Sequence, residues 1–238
     1  MHPFYLKHKN TYNKEIEKLL RFGKKDIEVL FEKDFLIILN QVKSAFESKL
    51  LPNIPYVGGK QNANDTHNLV GCCEYAASFL VGRDYNLSND QIGELLTKIE
   101  VKHFKVLPLV GQKAVRKLMK KTFVQKFLKK MAEKSQKYSK KYPYAWEYRY
   151  EEPDSEYSHK YNCTRCGAHR FLNEMGLGDI MPYICNIDFV AFSVYGLPYY
   201  RNEVIGYGDE KCANLFKIDE DVVTDNWPPH GIRKDGFK

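Results

Sequence analysis

The hydrophobic period of the chain changes near Pro143, and this change limits the folds that the sequence can adopt. Before it, apolar residues recur at a helical spacing, as at Ile16, Leu19 and Leu20. After it, aromatic residues alternate with other residues between Tyr142 and Tyr150, which is typical of a β-strand. The sequence therefore predicts an α+β protein, in which a helical N-terminal half packs on a smaller α+β C-terminal half with a β-hairpin.

The first half of the chain carries the signals of several helices. Stripes of apolar residues predict two helices within residues 12–50, with Gly23 between two of the stripes. A further helix is predicted from Asn68 to Val81, and another from about Gln91 to Phe104, where Ser88 is a candidate for the N-cap.

The second half of the chain mixes helices and strands. The sequence predicts a helix from Cys163 to Met175 and another from Asp179 to Val194. Residues Tyr199–Gly206 and Lys211–Ile218 are β-like, and the turn residues of Tyr207–Glu210 lie between them. A β-hairpin is therefore expected at this place.

These patterns divide the chain into three segments. Residues 1–50 are expected to form N-terminal helices, and residues 51–218 an α+β domain that carries the function. Residues 219–238, which contain Pro228 and Pro229, are expected to form an irregular extension.

The positive charge of the chain is concentrated in one segment. The formal net charge is +7, yet Lys113–Lys141 holds twelve Lys or Arg and one acid, Glu133, so that the rest of the chain is net negative. Apolar residues in this segment recur at a helical period with lysines on the other face, which favours a solvated amphipathic helix. An anionic or nucleic-acid partner is the alternative, but no aromatic stacking platform lies among the lysines, so a nucleic-acid partner is not expected.

No membrane segment or export signal is visible in the sequence. The longest apolar run, Phe35 to Leu39, is far too short to span a bilayer, and the residues after Met1 lack the apolar stretch of a signal peptide. We therefore expect a cytoplasmic protein that does not bind membranes. In that compartment the six cysteines are expected to be thiols, metal ligands or nucleophiles rather than disulfides.

Residues that can carry chemistry are densest in the C-terminal half. They are Cys163, Cys166, His169, Cys185, Asp188, Arg201 and Cys212. Cysteine and histidine at short spacing suit Zn²⁺, but the strong pattern of two C-x2-C pairs is absent. Three interpretations remain open at this point: buried unreactive cysteines, a structural metal site and a functional thiol. For a functional thiol, Cys163 and Cys166 are expected at a helix N-terminus, where the helix dipole stabilises a thiolate.

A second cluster precedes the helix at Asn68. Gly58 and Gly59 allow a ligand close to the backbone, and Lys60 adds a positive charge, which suits a carboxylate or a phosphate. The spacing is not that of a P-loop, and a tight turn between helices explains these residues equally well.

A third cluster is the cysteine pair Cys72–Cys73, which the sequence places near the start of a helix with His67 close by. A cysteine at such a position can act as a nucleophile. The alternative is that these small side chains only allow close helix packing.

At these residues the sequence resembles the L-2-amino-thiazoline-4-carboxylic acid hydrolase family. Three stretches carry the resemblance, which extends from about Leu51 to Phe216: Leu51–Lys60 with Asn68–Gly71, Asn162–Cys166 with Cys185 and Asp188, and Arg201 with Gly208 and Cys212. The chain departs from the family pattern after Cys212, where Ala213 stands in place of the usual acid.

The resemblance implies a hydrolase that acts on a cyclic amidine. The reacting ring carbon carries carbon–nitrogen and carbon–sulfur bonds, and ring opening gives an N-carbamoyl-cysteine product. It implies Cys166 as the nucleophile, Asp188 as the group that handles the proton and His169 as a helper. Gly58, Gly59, Lys60 and Arg201 are the residues expected to bind the carboxylate of a small-molecule substrate. This mechanism requires no cofactor.

Three alternatives remain open beside this hypothesis. Cys166, Cys185 and Cys212 could hold a zinc ion that activates water. A thiol-dependent acyl or amide transferase could use Cys72 or Cys73 together with His67. The third alternative is a module that binds a metal or a ligand and has no catalytic activity.

Overall fold

The computed structural model of the protein describes residues 1–106 and 109–221. Within these residues nine α-helices and four β-strands form. The helices are α1 (Pro3–Arg21), α2 (Lys24–Phe31), α3 (Phe35–Ala45), α4 (Ala63–Asp84), α5 (Asn89–Phe104), α6 (Leu109–Met119), α7 (Thr122–Lys141), α8 (Gly167–Glu174) and α9 (Met181–Val194). The strands are β1 (Glu147–Glu151), β2 (His159–Arg165), β3 (Tyr199–Tyr200) and β4 (Cys212–Phe216).

The four strands form one antiparallel sheet in the order β1-β2-β4-β3. The strands lie in the C-terminal part and most helices precede them, so the predicted α+β class is confirmed. Helix α7 packs on the outer strand β1, and α9 contacts both α5 and the short strand β3. The helical and the mixed parts of the chain therefore share one core.

Helix α4 lies at the centre of that core. It contacts α3, α5 and α8, and its residues Leu69, Ala76 and Phe79 are inaccessible to solvent. A helix that packs on several neighbours is apolar over most of its circumference. Any polar or open position on α4 therefore needs a separate explanation, and such positions mark the candidate site.

The helical predictions for the first half hold, with shifted ends. Ser88 caps α5 in a capping box: its hydroxyl accepts the Gln91 N–H at 3.2 Å, and the Gln91 side chain accepts the Ser88 N–H at 2.9 Å. Three helices rather than two occupy residues 3–45, because the chain turns both at Gly23 and at Glu32, whose φ of 51° is left-handed. Helix α4 begins at Ala63, five residues before the predicted start.

Two strand predictions in the second half are wrong in extent. The strand predicted from Tyr142 starts only at Glu147, because α7 runs to Lys141 and a turn follows. The hairpin pairs Tyr199 with Phe216, but the residues after Tyr200 leave the sheet. In the connection that follows, the Asp209 carboxylate accepts the Val204 N–H at 2.7 Å, an alternative to a backbone partner for that group.

The helix predicted from Cys163 is also wrong at its start. Cys163 lies in β2 opposite Cys212, and the helix α8 begins at Gly167. Strand β2 is paired on both sides as far as Cys163, and its pairing with β1 keeps it extended as far as Arg165. The glycine is required at the start of α8, because a Cβ on Gly167 would lie 1.9 Å from the Tyr144 carbonyl oxygen.

The basic segment forms most of α6 and all of α7. One face of α7 is buried on the rest of the protein through Val124, Leu128 and Ala132, while its lysines point outward. The predicted apolar face is wrong in part, because Phe123 and Phe127, which the pattern places on it, are exposed. In the described ranges no helix combines the length and the apolar character that crossing a membrane requires. Most of the segment predicted as an irregular extension, from residue 222 onward, lies outside the described residues.

Candidate active site

A cavity of about 600 Å³ opens beside the central helix α4. Its walls come from α1, α4, α5, the start of α8, and α9. Gly71 of α4 faces this space, and nothing lies within 4 Å of the position that its Cβ would take. The missing side chain therefore keeps the cavity open along the helix backbone.

Three thiols meet at one end of the cavity, those of Cys72, Cys166 and Cys185. They come from α4, the N-cap of α8 and α9, so the fold brings together positions that are distant in sequence. The Cys166 sulfur accepts the His169 backbone N–H at 3.4 Å and caps the helix. A hydrogen bond from a free N–H at a helix start favours the thiolate form of a cysteine.

Burial keeps these thiols protonated in the free protein. Burial raises the pKa of Cys166 to about 12, against the lowering effect of the His169 N–H, and the nearby Cys212 and Asp188 raise it further. Burial also raises the pKa of Cys72 and of Cys185 well above the ordinary value. Attack by any of these sulfurs must therefore be coupled to proton transfer.

Asp188 lines the same end of the cavity and is held by Arg201. The Arg201 guanidinium donates to Asp188 Oδ2 at 2.5 Å, to Asn214 Oδ1 at 2.7 Å and to the Cys185 carbonyl at 3.4 Å. The Arg201 side chain is 5% exposed, whereas that of Asp188 is 53% exposed. Arg201 therefore orients Asp188 from behind, and it does not line the cavity as a partner for a substrate carboxylate.

The other C-terminal candidates lie behind the cavity wall or beside it. Cys212 is buried, and its sulfur accepts the Ile205 N–H at 3.3 Å. Cys163 is buried too and donates to the Arg165 carbonyl at 3.2 Å, so it is not at a helix start as predicted. The His169 ring contacts Asn173 on the outside of α8, and burial lowers its pKa.

The described residues offer no metal-binding cluster. Over 1–106 and 109–221, no three His, Cys, Asp or Glu side chains are grouped so that they could hold a metal ion. Cys166, Cys185 and Cys212 therefore do not form a ligand set in this structure, although Cys212 lies close enough to raise the pKa of both Cys166 and Cys185.

The glycine-rich loop forms a turn that does not line the cavity. Gly58 has a φ of 113°, and a Cβ there would lie 2.8 Å from the Asn62 side chain. Gly59 packs against Phe4, and Lys60 is exposed. None of Gly58, Gly59 and Lys60 lines the cavity, so the structure does not bring them together with the cysteines.

The cysteine pair of α4 is not at a helix start. Helix α4 begins at Ala63, so Cys72 and Cys73 lie in its interior, without the free N–H groups of a first turn. Their sulfurs point to different sides: Cys72 lines the cavity, and Cys73 is completely buried in the core. His67 lies on the cavity face, as the proposed pairing with Cys72 requires.

Sequence reasoning missed the polar wall at the other end of the cavity. There the Tyr75 hydroxyl donates to Glu100, and His103 Nδ1 contacts the second oxygen of Glu100 at 3.0 Å. Glu74 completes this wall. The available signal was the helical spacing of His67, Gly71, Glu74 and Tyr75, which places them on one face of α4.

The family model of the L-2-amino-thiazoline-4-carboxylic acid hydrolases matches residues 100–216, about half of the chain. The resemblance to this family is therefore confirmed over that range. The match includes Cys166, Asp188 and Arg201, and it begins at Glu100, so α4 and the glycine-rich loop lie outside it. No curated protein and no solved structure matches the chain.

Proposed function

We propose that the protein is a hydrolase that opens a small cyclic amidine, of the L-2-amino-thiazoline-4-carboxylate type, by attack of the Cys166 thiol. One observation carries this proposal: the Cys166 sulfur lies in the wall of an open cavity and accepts an N–H at the start of α8. The name of the matched family supplies the reaction class.

The chemistry proceeds in two stages and consumes one water molecule. First, the Cys166 sulfur bonds to C2 of the ring, its proton passes to the Asp188 carboxylate, and the C2–S bond of the ring breaks. The departing ring sulfur takes up that proton and becomes the thiol of a cysteine unit that remains attached through nitrogen. Water then adds to C2, the bond to Cys166 breaks, and the N-carbamoyl-cysteine product leaves as the Cys166 thiol re-forms.

The protonation states of the site support a substrate that is itself a base. With a pKa of about 12, only on the order of one Cys166 thiol in 10⁵ is ionised at neutral pH. A protonated amidine next to Cys166 would stabilise the thiolate by its positive charge. Asp188, oriented by Arg201, is the neighbouring carboxylate that can take the proton.

The substrate carboxylate is assigned to the mouth of the cavity. Lys60 and Arg201, the cations expected to bind it, do not line the cavity, whereas Lys18 and His67 do. Both side chains are exposed, and neither forms an ion pair with a described residue. Lys18 therefore has its charge free for an anionic group of a ligand.

Two other parts of the proposal concern the surroundings of the protein. All six cysteines are free thiols, which supports a cytoplasmic location, because that compartment keeps thiols reduced. The partner of the cavity is a small molecule, since the thiols lie inside it.

The alternatives find less support in the geometry. A transferase that uses Cys72 lacks the activating helix terminus, because Cys72 lies inside α4. A metal-binding module lacks a ligand set among the residues that the structure describes.

Hydrolysis of L-2-amino-thiazoline-4-carboxylate tests the proposal, with the thiol of the product measured by a chromogenic disulfide reagent after protein removal. Cys166→Ala should abolish thiol release, whereas Cys163→Ala, which changes a buried cysteine outside the cavity, should retain it. Rapid quenching should show the wild-type chain heavier by one whole substrate, because ring opening loses no atoms. Full activity in Cys166→Ala would refute the assignment of the nucleophile.

A further inference from the structure

Glu74 is a cavity residue whose hydrogen-bonding capacity is unused. Its side chain lines the cavity from α4, and its Oε1 atom is buried without any hydrogen-bond partner. No described residue forms an ion pair with it. Buried carboxyl oxygens are nearly always hydrogen-bonded in folded proteins, since an unpaired one costs stability. An unpaired oxygen in a cavity wall therefore indicates a donor that arrives with a ligand.

The neighbouring carboxylate shows the contrast. Glu100 is 1% exposed, and both of its oxygens are in use, one by the Tyr75 hydroxyl and one by His103. This cluster forms a closed wall beside Glu74 and leaves no free donor for it. No described residue donates a hydrogen bond to Glu74 Oε1, so a donor group of a ligand can occupy this position.

The volume of the cavity leaves room for a ligand larger than the reacting ring. At about 600 Å³ it lies within the range of pockets for drug-sized ligands, which is more than a single five-membered ring with small substituents needs. Gly71 lies between the two ends, three residues before Glu74, so an arm of the ligand can lie on the bare helix backbone.

The side chains around Glu74 indicate which charge a ligand carries at this end of the cavity. Carboxyl groups of Glu15, Glu74 and Glu100 face it, together with Lys18 at the mouth and the imidazole side chains of His67 and His103. A carboxyl oxygen that lacks a donor, among other carboxyl groups, favours a cationic N–H group.

We propose that Glu74 forms a second subsite of the cavity, which binds an ammonium or guanidinium group on an arm of the substrate, away from the carbon that Cys166 attacks. This inference rests on the proposed function, because it assumes that the reacting ring lies at the thiol end. It assigns to this chain a larger and more basic substrate than the bare amino-thiazoline acid.

Binding at Glu74 should release a proton. Burial, with the charge of Glu15 next, raises the pKa of Glu74 well above its ordinary value, which favours the protonated form of the free carboxyl group. A cation at Oε1 favours the carboxylate and displaces that proton. The titratable and charged groups that line the cavity or interact with Glu74 are Tyr12, Glu15, Lys18, His67, Cys72, Tyr75, Glu100, His103, Tyr148, Cys166, Cys185 and Asp188.

The test compares two ligands on several variants by titration calorimetry. Both ligands are amides of 2-amino-thiazoline-4-carboxylic acid, one with an aminobutyl arm and one with a hydroxybutyl arm of the same length. All variants also carry Cys166→Ala, which prevents turnover. We expect the chain with Glu74 to bind the amino arm at least tenfold more tightly, with a proton released, as seen from different heats in two buffers.

Glu74→Gln keeps the shape of the side chain and removes its charge. In this variant the tenfold preference and the proton release should both disappear, while binding of the hydroxybutyl ligand and the melting temperature stay close to those of the parent. Lys18→Met, which removes a cation from the same cavity, and Glu28→Gln, which removes an acid on the remote helix α2, should both keep the preference.

The outcomes separate this inference from the proposed function. No preference for the amino arm in the parent, no binding of the amino-arm ligand, or a preference that survives Glu74→Gln would overturn the subsite. Absence of ring opening by the wild-type chain, with the Glu74-dependent preference intact, would overturn the proposed function alone.

Discussion

Gly71 provides the most direct test of whether the cavity beside α4 is the site of the reaction. It lies in the interior of a 22-residue helix, its backbone has the ordinary helical sign of φ, and its Cβ would meet nothing within 4 Å. Replacement by alanine or leucine therefore adds side-chain atoms to empty space and not to a packed core.

The magnitude of the effect on stability follows from the helix. A glycine in a helix interior costs about 0.5–1 kcal/mol relative to alanine, and leucine has nearly the same helix propensity as alanine. We expect Gly71→Ala and Gly71→Leu to raise the free energy of unfolding by about that amount, which corresponds to roughly 2–4 °C per kcal/mol for a chain of this size. The added Cβ atom requires no neighbour to move.

Activity should separate the two variants. The single methyl of Gly71→Ala occupies a small part of the cavity and should leave ring opening within about threefold of the wild type. The leucine side chain of Gly71→Leu lies on the path between Cys166 and Glu74 and should lower kcat/KM by more than about tenfold, equivalent to 1.4 kcal/mol of lost binding. Thermal unfolding and product-thiol release measure the two effects. Full activity in Gly71→Leu would place the reaction outside this cavity. A melting temperature of either variant below that of the wild type would show that the space beside Gly71 is not open.

Two further predictions concern the thiol end. Because the pKa of Cys166 is about 12, its alkylation by iodoacetamide should rise about tenfold per pH unit from neutral pH to about pH 10, measured by mass spectrometry of its peptide; a plateau near pH 8.5 would contradict the burial argument. Arg201→Met leaves Asp188 without its donor and removes one of the two donors to Asn214, and it should lower the free energy of unfolding by about 2–3 kcal/mol in urea titrations, discounted because Asp188 is half-exposed. Arg149→Met, which removes the ion pair of the exposed Arg149 with Glu147, should change the free energy of unfolding by less than about 0.5 kcal/mol. Equal effects of the two arginine changes would refute the anchoring role of Arg201.

The local structure followed the sequence where short-range physics decides it. The Ser88 cap, the amphipathic face of α7 and the change from helices to strands near Pro143 depend on neighbours a few residues away. The start of α8 was misplaced because the pairing of β2 with β1 and β4 overrides the helical pattern that begins at Cys163. Strand pairing is a contact between distant segments, and no local pattern reports it.

The sequence by itself determined which groups are available: the spacing of Cys166, Cys185, Asp188 and Arg201, and the family that residues 100–216 match. Tertiary structure alone decided what these groups do. It buried Arg201 behind Asp188 and paired the two side chains, because an unpaired buried guanidinium would lower the stability of the fold. It also placed Cys72 and Glu74 of α4 on the wall of the same cavity as Cys166, and left the glycine-rich loop away from it. A periodicity defines the faces of a helix, but only packing selects which faces meet and which space stays open.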